Sequence, residues 1–258
     1  MTILNNFKNL FRKDDNTLEV ITHTSSTYEF WDLIEARKAL PKWWRDMPSK
    51  YDNIFPHTPN PVFEKFKRPI STAKQCPAIQ DILSTGVIFK AWTDIAIFVS
   101  PDGIVESSTA DEKIGPGIPA GGGSSHPYIQ RNGVFKNYAH YKLSPPIFLK
   151  TKTYRKFLWT GAFWHNPYLV ENNIHIVPGI IDYKTNTGMN INMFLPLKSE
   201  PYQLNINFGD PLVHLIPLDN KPIKITKRLV DADEFEREGN VHIKFIGSPK
   251  ITKSRIKN

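Results

Sequence analysis

Short runs of alternating apolar and polar residues, broken by proline- and glycine-containing stretches, dominate the chain from about residue 86 onward. Asn190-Ile191-Asn192-Met193 shows the period of two expected of a half-buried strand. The same pattern predicts strands over 86–92, 94–99, 134–136, 139–143, 147–150, 156–160, 175–177, 179–182, 189–195, 202–206 and 212–216. Ser100-Pro101-Asp102-Gly103 is a turn that leads from the second of these into 104–106, a hairpin signal. Earlier in the chain, 17–22 reads as a strand. Residues 27–40 then read as a helix, with Phe30, Trp31, Leu33, Ile34 and Ala36 on one side, Ser26 or Thr27 as cap and Pro41 as stop. A short helix is predicted over 76–83. The last forty residues predict edge strands at 223–226 and 241–246 with a helical turn at 231–237 between them.

Composition sharpens this picture. The chain has 258 residues with 40% hydrophobic and 22% charged, which suits a folded globular protein rather than a disordered one. Its 21 prolines each fix φ and remove a donor, so long helices are disfavoured and short strands joined by turns are favoured. The expected fold is mainly β, a single sandwich- or barrel-like core of the β-clip or jelly-roll type, with an N-terminal helix and a proline-rich strap. Residues 1–75 are expected to form an arm, the helix and the strap packed on the core. Residues 76–258 are expected to form that core and a basic tail. Phe7, Leu10 and Phe11 in the first 16 residues suggest a short docking turn, and the early Lys8, Arg12 and Lys13 do not suit a secretory signal. No run of about 18 apolar residues predicts a membrane helix.

The charge of +8 gathers at both ends and around Lys221, Lys224, Lys227 and Arg228, a distribution suited to nucleic acid, an acidic partner or an anionic ligand, or simply to a solvated surface. The sole cysteine, Cys76, allows no internal disulfide and is expected to be buried filler. Trp43 and Trp44 read as anchors for the strap, with a base-stacking platform as the alternative. The glycine run 114–126 lacks the Lys-Ser/Thr ending of a nucleoside-triphosphate loop and is expected to be a mobile surface loop. His126 and Gln130 beside it form a candidate binding pair. The eight histidines show neither His-x-His nor helical i, i+4 spacing, so no metal site and no cofactor is expected.

Two stretches carry a resemblance. Gly179-Ile180-Ile181-Asp182-Tyr183 with Gly188, followed by Phe208-Gly209-Asp210-Pro211-Leu212-Val213-His214-Leu215-Ile216, resembles the closing hairpin and strand of the dUTPase and dCTP-deaminase superfamily. The resemblance implies a β-clip fold in which Asp182, Tyr183 and Gly188 border a nucleoside pocket. That superfamily's Ala-Gly-x-Asp and Arg-Ser-Gly motifs have no match in this chain. More broadly, the order Pro41 to Pro48, Lys74 to Pro77, the 86–94 strand pair, His126 to Gln130, Gly179 to Asp182 and Gly209 to Pro217 resembles an uncharacterised family of marine tailed phages, with bacterial relatives sharing the last two motifs. This implies a viral protein in the virion or the host cytoplasm. The leading expectation is a non-enzymatic structural or accessory component, with other viral proteins or further copies of itself as partners. Nucleic acid or an anionic ligand at the basic termini is a further possible partner, and no membrane is involved. A nucleotide-sequestering protein and a nucleotide hydrolase or deaminase are the alternatives.

Overall fold

The computed structural model describes residues 16–51, 70–109, 122–127, 134–185 and 188–246. The first strands are β1 (Thr17–Thr22), β2 (Ile34–Glu35), β3 (Lys50–Tyr51), β4 (Ile70–Ser71), β5 (Val87–Lys90), β6 (Ile95–Val99), β7 (Val105–Thr109) and β8 (Gly122–His126). After them come β9 (Tyr138–Ser144), β10 (Phe148–Thr151), β11 (Lys156–Gly161), β12 (His175–Ile176), β13 (Gly179–Asp182), β14 (Ile191–Pro196), β15 (Tyr202–Ile206), β16 (Pro211–Pro217) and β17 (Lys224–Leu229). The helices are α1 (Ser25–Phe30), α2 (Lys42–Asp46), α3 (Pro77–Ser84), α4 (Pro167–Glu171) and α5 (Ala232–Ile246).

The protein is mainly β, as its alternating pattern predicts, with a sandwich-like core; among the described residues no sheet closes into a barrel. Four sheets surround that core, in the orders β10-β1-β17, β13-β11-β16-β5-β2, β12-β14-β9-β8 and β15-β6-β7, and β3 pairs with β4 outside them. One buried cluster joins Leu18 and Val20 of β1, Val87 and Phe89 of β5, Ile95 and Ile97 of β6, Tyr141 and Leu143 of β9, and Leu212 and Leu215 of β16. Each such side chain contributes about 1.5–3 kcal/mol on full burial. Strand β16 is covered on both faces, so Leu212, Val213, His214 and Leu215 are buried in succession rather than alternately. Behind it, Ala36, Ile88 and Ala162 make a second small cluster.

Several elements depart from the sequence pattern, each for a tertiary reason. The helix expected over 27–40 ends at Phe30. Trp31 and Leu33 are buried with Asp32 exposed between them, and Ile34–Glu35 pairs antiparallel with β5. The Trp31 indole N–H donates to Lys90 O at 3.0 Å, so a distant strand takes the aromatic that would have lined the helix. The strand expected at 134–136 does not form: Phe135 sits at φ 58° with its ring 4.7 Å from Phe194. The strand expected at 241–246 is instead the continuation of α5. That helix is held to the first sheet by Phe235 stacked on Phe148 at 4.2 Å and by Glu238 bonded to Lys150 at 2.8 Å. Strands β5 and β6, neighbours in sequence, enter different sheets, whereas the predicted 94–106 hairpin forms with Val99 opposite Val105.

The end of the glycine run is also ordered into structure. Residues 122–126, expected to be loop, form β8 and pair with β9 in register from Gly122↔Ser144 to His126↔His140. A Cβ at Gly123 would fall 1.6 Å from the Tyr141 hydroxyl, which donates to Ser107 at 2.7 Å. Only glycine lets β8 lie against that tyrosine. Residues 110–121, the N-terminal arm to residue 15, the strap over 52–69, Gln130 and the tail from 247 lie outside the described residues. Cys76 is half-buried and precedes the first turn of α3.

Gly86 makes the tightest turn into the core. It has φ +84°, and a Cβ there would meet Leu215 O at 2.2 Å. Gly86→Ala is expected to lower the unfolding free energy by about 2 kcal/mol, from backbone strain and displacement of β16. A urea melt of the variant showing an unchanged midpoint would remove this account of the turn.

Candidate functional site

Alternation in β9 and β14 sends Ala139, Tyr141, Leu143, Ile191, Met193 and Leu195 into the core. It therefore turns Tyr138, His140, Lys142 and Ser144 outward together with Asn192 and Phe194. Register then aligns residues from four strands. His126, His140, Phe194 and His175 are successive cross-strand partners, so they form one row across the whole sheet. The His126 and His140 rings stack at 4.5 Å and 22°, and His140 meets Phe194 at 5.1 Å. At the far end His175 Nε2 donates to Asn173 Oδ1 at 2.7 Å, and Asn173 Nδ2 donates to the Tyr138 hydroxyl at 3.3 Å. The next row is Ser124, Lys142 and Asn192; beyond it Ser144 Oγ donates to Asn190 Oδ1 at 3.0 Å.

This face offers the exposed His175 imidazole with amide, hydroxyl and ammonium groups beside aromatic surface, while both His140 nitrogens and His126 Nε2 are buried. Its two stacked imidazoles lie nearly parallel, so their nitrogens spread in the ring planes and do not converge on one point. Among the described residues no group of three histidine, cysteine or carboxylate side chains is arranged to hold a metal. The arrangement suits recognition of a flat or hydrogen-bonding surface.

The residues of the nucleoside-type motif separate. Among the described residues β13 pairs with β11 alone, whereas β14 pairs with β12 and β9, so Gly179–Asp182 and Ile191–Pro196 lie in different sheets and do not pair as the expected hairpin. Tyr183 is fully buried; its hydroxyl reaches Met189 Sδ at 3.4 Å and its ring packs on Phe157. Burial pushes its pKa well up. Its side chain is core and cannot border a surface pocket. Asp182 is half-buried, and its carboxylate accepts from the Lys184 N–H at 3.0 Å, which makes it a turn-former. Gly188 bridges to Phe148 and borders a cavity of about 290 Å³ lined also by Trp159, Gly179, Ile180, Asn190 and Asn192. That cavity adjoins the outward face, since Asn192 belongs to the Lys142 row. Of the predicted site residues, His126 and Gly188 thus lie on or beside one surface, Asp182 and Tyr183 serve local structure, and Gln130 lies outside the described residues.

Two buried polar centres carry no sequence signal. His165 and His214 sit behind β16, with ring centroids 5.2 Å apart. His165 Nε2 faces Ala36 O and Leu83 O, both at 3.3 Å, and His214 Nε2 donates to Thr85 O at 2.6 Å. They cap carbonyls at the C-terminal end of α3 and pin that helix and the turn at Ala36 to the sheet. Burial lowers the pKa of both, that of His214 to about 4. The second centre is Arg155, 5% exposed, whose guanidinium grips Asp219 through Nε and Nη2 and donates to the carbonyls of Asn16, Lys221 and Pro222. Both centres are spent on backbone carbonyls and are structural.

Comparison with protein-family models, curated proteins and solved structures finds no match to this chain. Among the described residues no helix is long and apolar enough to cross a membrane.

Proposed function

We propose that this chain is a non-enzymatic assembly protein, a structural or accessory component of a phage particle that works through contacts with neighbouring protein. The observation that carries this reading is the open edge of β13. Among the described residues this strand pairs on one side only, with β11, and its Ile180 is 66% exposed. An uncovered edge with an exposed β-branched residue is a template for a further strand, here between Pro178 and Asp182. Asn192, on the outward face of the neighbouring sheet, lines the same cavity as Ile180, and that face adds polar and aromatic groups suited to a protein interface; the resemblance to marine phage proteins supplies the setting.

Ile180→Lys places a charge on the edge at an exposed position, so the fold is expected to persist with a melting temperature within a few degrees of the parent. The same variant is expected to lose incorporation into particles, or self-association if the partner is a second copy. Mass spectrometry of purified particles and sedimentation of the isolated protein measure these outcomes; absence from particles together with a monomer unaffected by the substitution would remove the proposal.

A second reading is favoured by the cavity of about 290 Å³ beside Gly188, near the lower end of small-molecule sites. A sequestering protein would bind a nucleobase-sized ligand there. In a melting screen with nucleoside phosphates, a true ligand at a hundredfold excess over its Kd adds about 2.7 kcal/mol to stability. A flat response across the panel would leave assembly alone.

A further inference from the structure

Away from that edge, two tryptophans and a group of cations form an ordered ledge. Trp44 of α2 is buried and roots the helix, while its neighbour Trp43 meets it edge-on at 5.7 Å and faces Trp164 at 6.2 Å and 33°. Trp164 is 38% exposed, in the turn between β11 and α4. That turn is fixed from three sides: Ala162 N–H donates to Leu212 O, Asn166 Nδ2 to Pro211 O at 2.9 Å, and His165 faces the carbonyls of Ala36 and Leu83. An indole held outward by a rigid turn loses little freedom when something stacks on it.

Cations outnumber acids around the ledge. Lys42 and Arg45 of α2 are exposed, and Lys74 Nζ donates to Arg45 O at 3.0 Å, which brings a third cation to the same place. Arg37 and Lys38, exposed on the turn that His165 grips, add two more. The acids nearby are Glu35, bonded to Arg37 and Lys38, Asp46, bonded to Lys42, and Asp81, which lines the same surface cavity as Glu35 and Arg37; Arg45 and Lys74 have no carboxylate partner among these three. Flat aromatic surface interleaved with cations matches a chain of stacked bases on a phosphate backbone.

We propose that the Trp43–Trp164 ledge, with Lys42, Arg45 and Lys74, binds single-stranded nucleic acid, the exposed face of Trp164 stacking on a base and the cations following the phosphates. The readout is sequence-tolerant, because every base offers a π-face and no side chain here is set to read base edges. A single strand is favoured over duplex because the indole needs an unstacked base.

The test is a fluorescence titration of the full chain with an oligothymidylate of about 20 nucleotides, longer than one binding site, and with a duplex of the same length. The expected result is quenching of tryptophan emission on binding the single strand and at least tenfold weaker binding of the duplex. Raising the salt from about 50 to 200 mM is expected to weaken the single-strand affinity at least tenfold. Trp164→Ala is expected to weaken binding about tenfold or more, Trp164→Phe to restore part of it, and Arg45→Glu to weaken it and reduce the salt slope. Both positions are exposed, and circular dichroism confirms that each variant stays folded. Binding that Trp164→Ala leaves unchanged would come from basic segments elsewhere and overturns the proposal. So does equal affinity for duplex, and so does preference for an acidic peptide over the oligonucleotide.

Discussion

Replacing Arg155 with methionine is expected to lower the unfolding free energy by about 3–4 kcal/mol, the largest loss for any single change discussed. Its guanidinium is nearly inaccessible, yet it satisfies one carboxylate and three backbone carbonyls at once. Methionine fills much of the same space but donates nothing, so the carbonyls of Asn16, Lys221 and Pro222 are left facing it. Asp219 contributes less to the loss, because it is more than one-third exposed and regains water. In the parent, burial raises the Asp219 pKa, but the hydrogen bonds and charges of Arg155 and Lys221 together more than reverse this and hold the carboxyl below its ordinary value. Arg155→Lys is expected to recover less than half the loss, since one ammonium cannot span acceptors that a planar fork reaches together. Guanidinium denaturation measures the effect as a shift in midpoint at constant slope. A shift below about 1 kcal/mol would mean that water enters and takes over these carbonyls.

Acid is expected to destabilise the protein in a window set by the buried imidazoles. Each has a folded pKa below its unfolded value of 6.5, so the unfolded chain binds protons first as pH falls. Stability is therefore whole above about pH 6.5 and drains as the pH falls toward 4. For His214 a displacement from 6.5 to about 4 corresponds to about 3 kcal/mol at most. His165 acts in the same direction. Protonation of His165 would add a proton at Nδ1, which has no acceptor among the described residues, and double protonation would set two buried cations 5.2 Å apart. The groups facing the pair are the carbonyls of Ala36, Leu83 and Thr85, together with each other's ring. His23, also lowered by burial, adds a smaller effect of the same sign. The carboxylate of Asp219 loses its contribution only at lower pH, because its depressed pKa starts from 3.8. His214→Gln, which can still donate to Thr85 O but does not titrate, is expected to flatten the slope between pH 6.5 and 4 while costing about 1 kcal/mol at pH 7. Urea melts across that range decide the matter; an unaltered slope would assign the acid sensitivity to other groups.

Most strands of the core were legible because one face is buried and a period of two records that directly, while β16, covered on both faces, was legible as a continuous apolar run. Prediction failed where a distant partner decided the outcome. Phe30 to Ala36 has helical spacing, yet Lys90 O and β5 claim Trp31 and Ile34. Val241 to Ile246 alternates like a strand, but Glu234 and Glu238 bond to Arg228 and Lys150 across the first sheet and fix the preceding turns as helix. The site was less legible still. The place of His126 beside the glycine run is plain in the sequence, but the row it joins depends on strand register, which brings it to His140, Phe194 and His175 from three other segments. The motif around Tyr183 points to a pocket, whereas its ring follows β13, packs against Phe157 and is buried. Arg155, His165 and His214 bond to backbone carbonyls, and a carbonyl leaves no mark in a sequence.

The parallel pairing of β1 with β17, from Thr17↔Lys224 to Thr22↔Leu229, has a consequence in time. About 200 residues separate the two strands, so at a ribosome's pace of about 5–20 residues per second β1 waits roughly 10–40 s for its neighbour. During that interval β10 can shelter one side of β1, and its other backbone edge stays open to any extended segment in reach. A nascent chain of this protein is thus exposed to mispairing at β1, and a chaperone that covers that strand early would raise the yield of folded product.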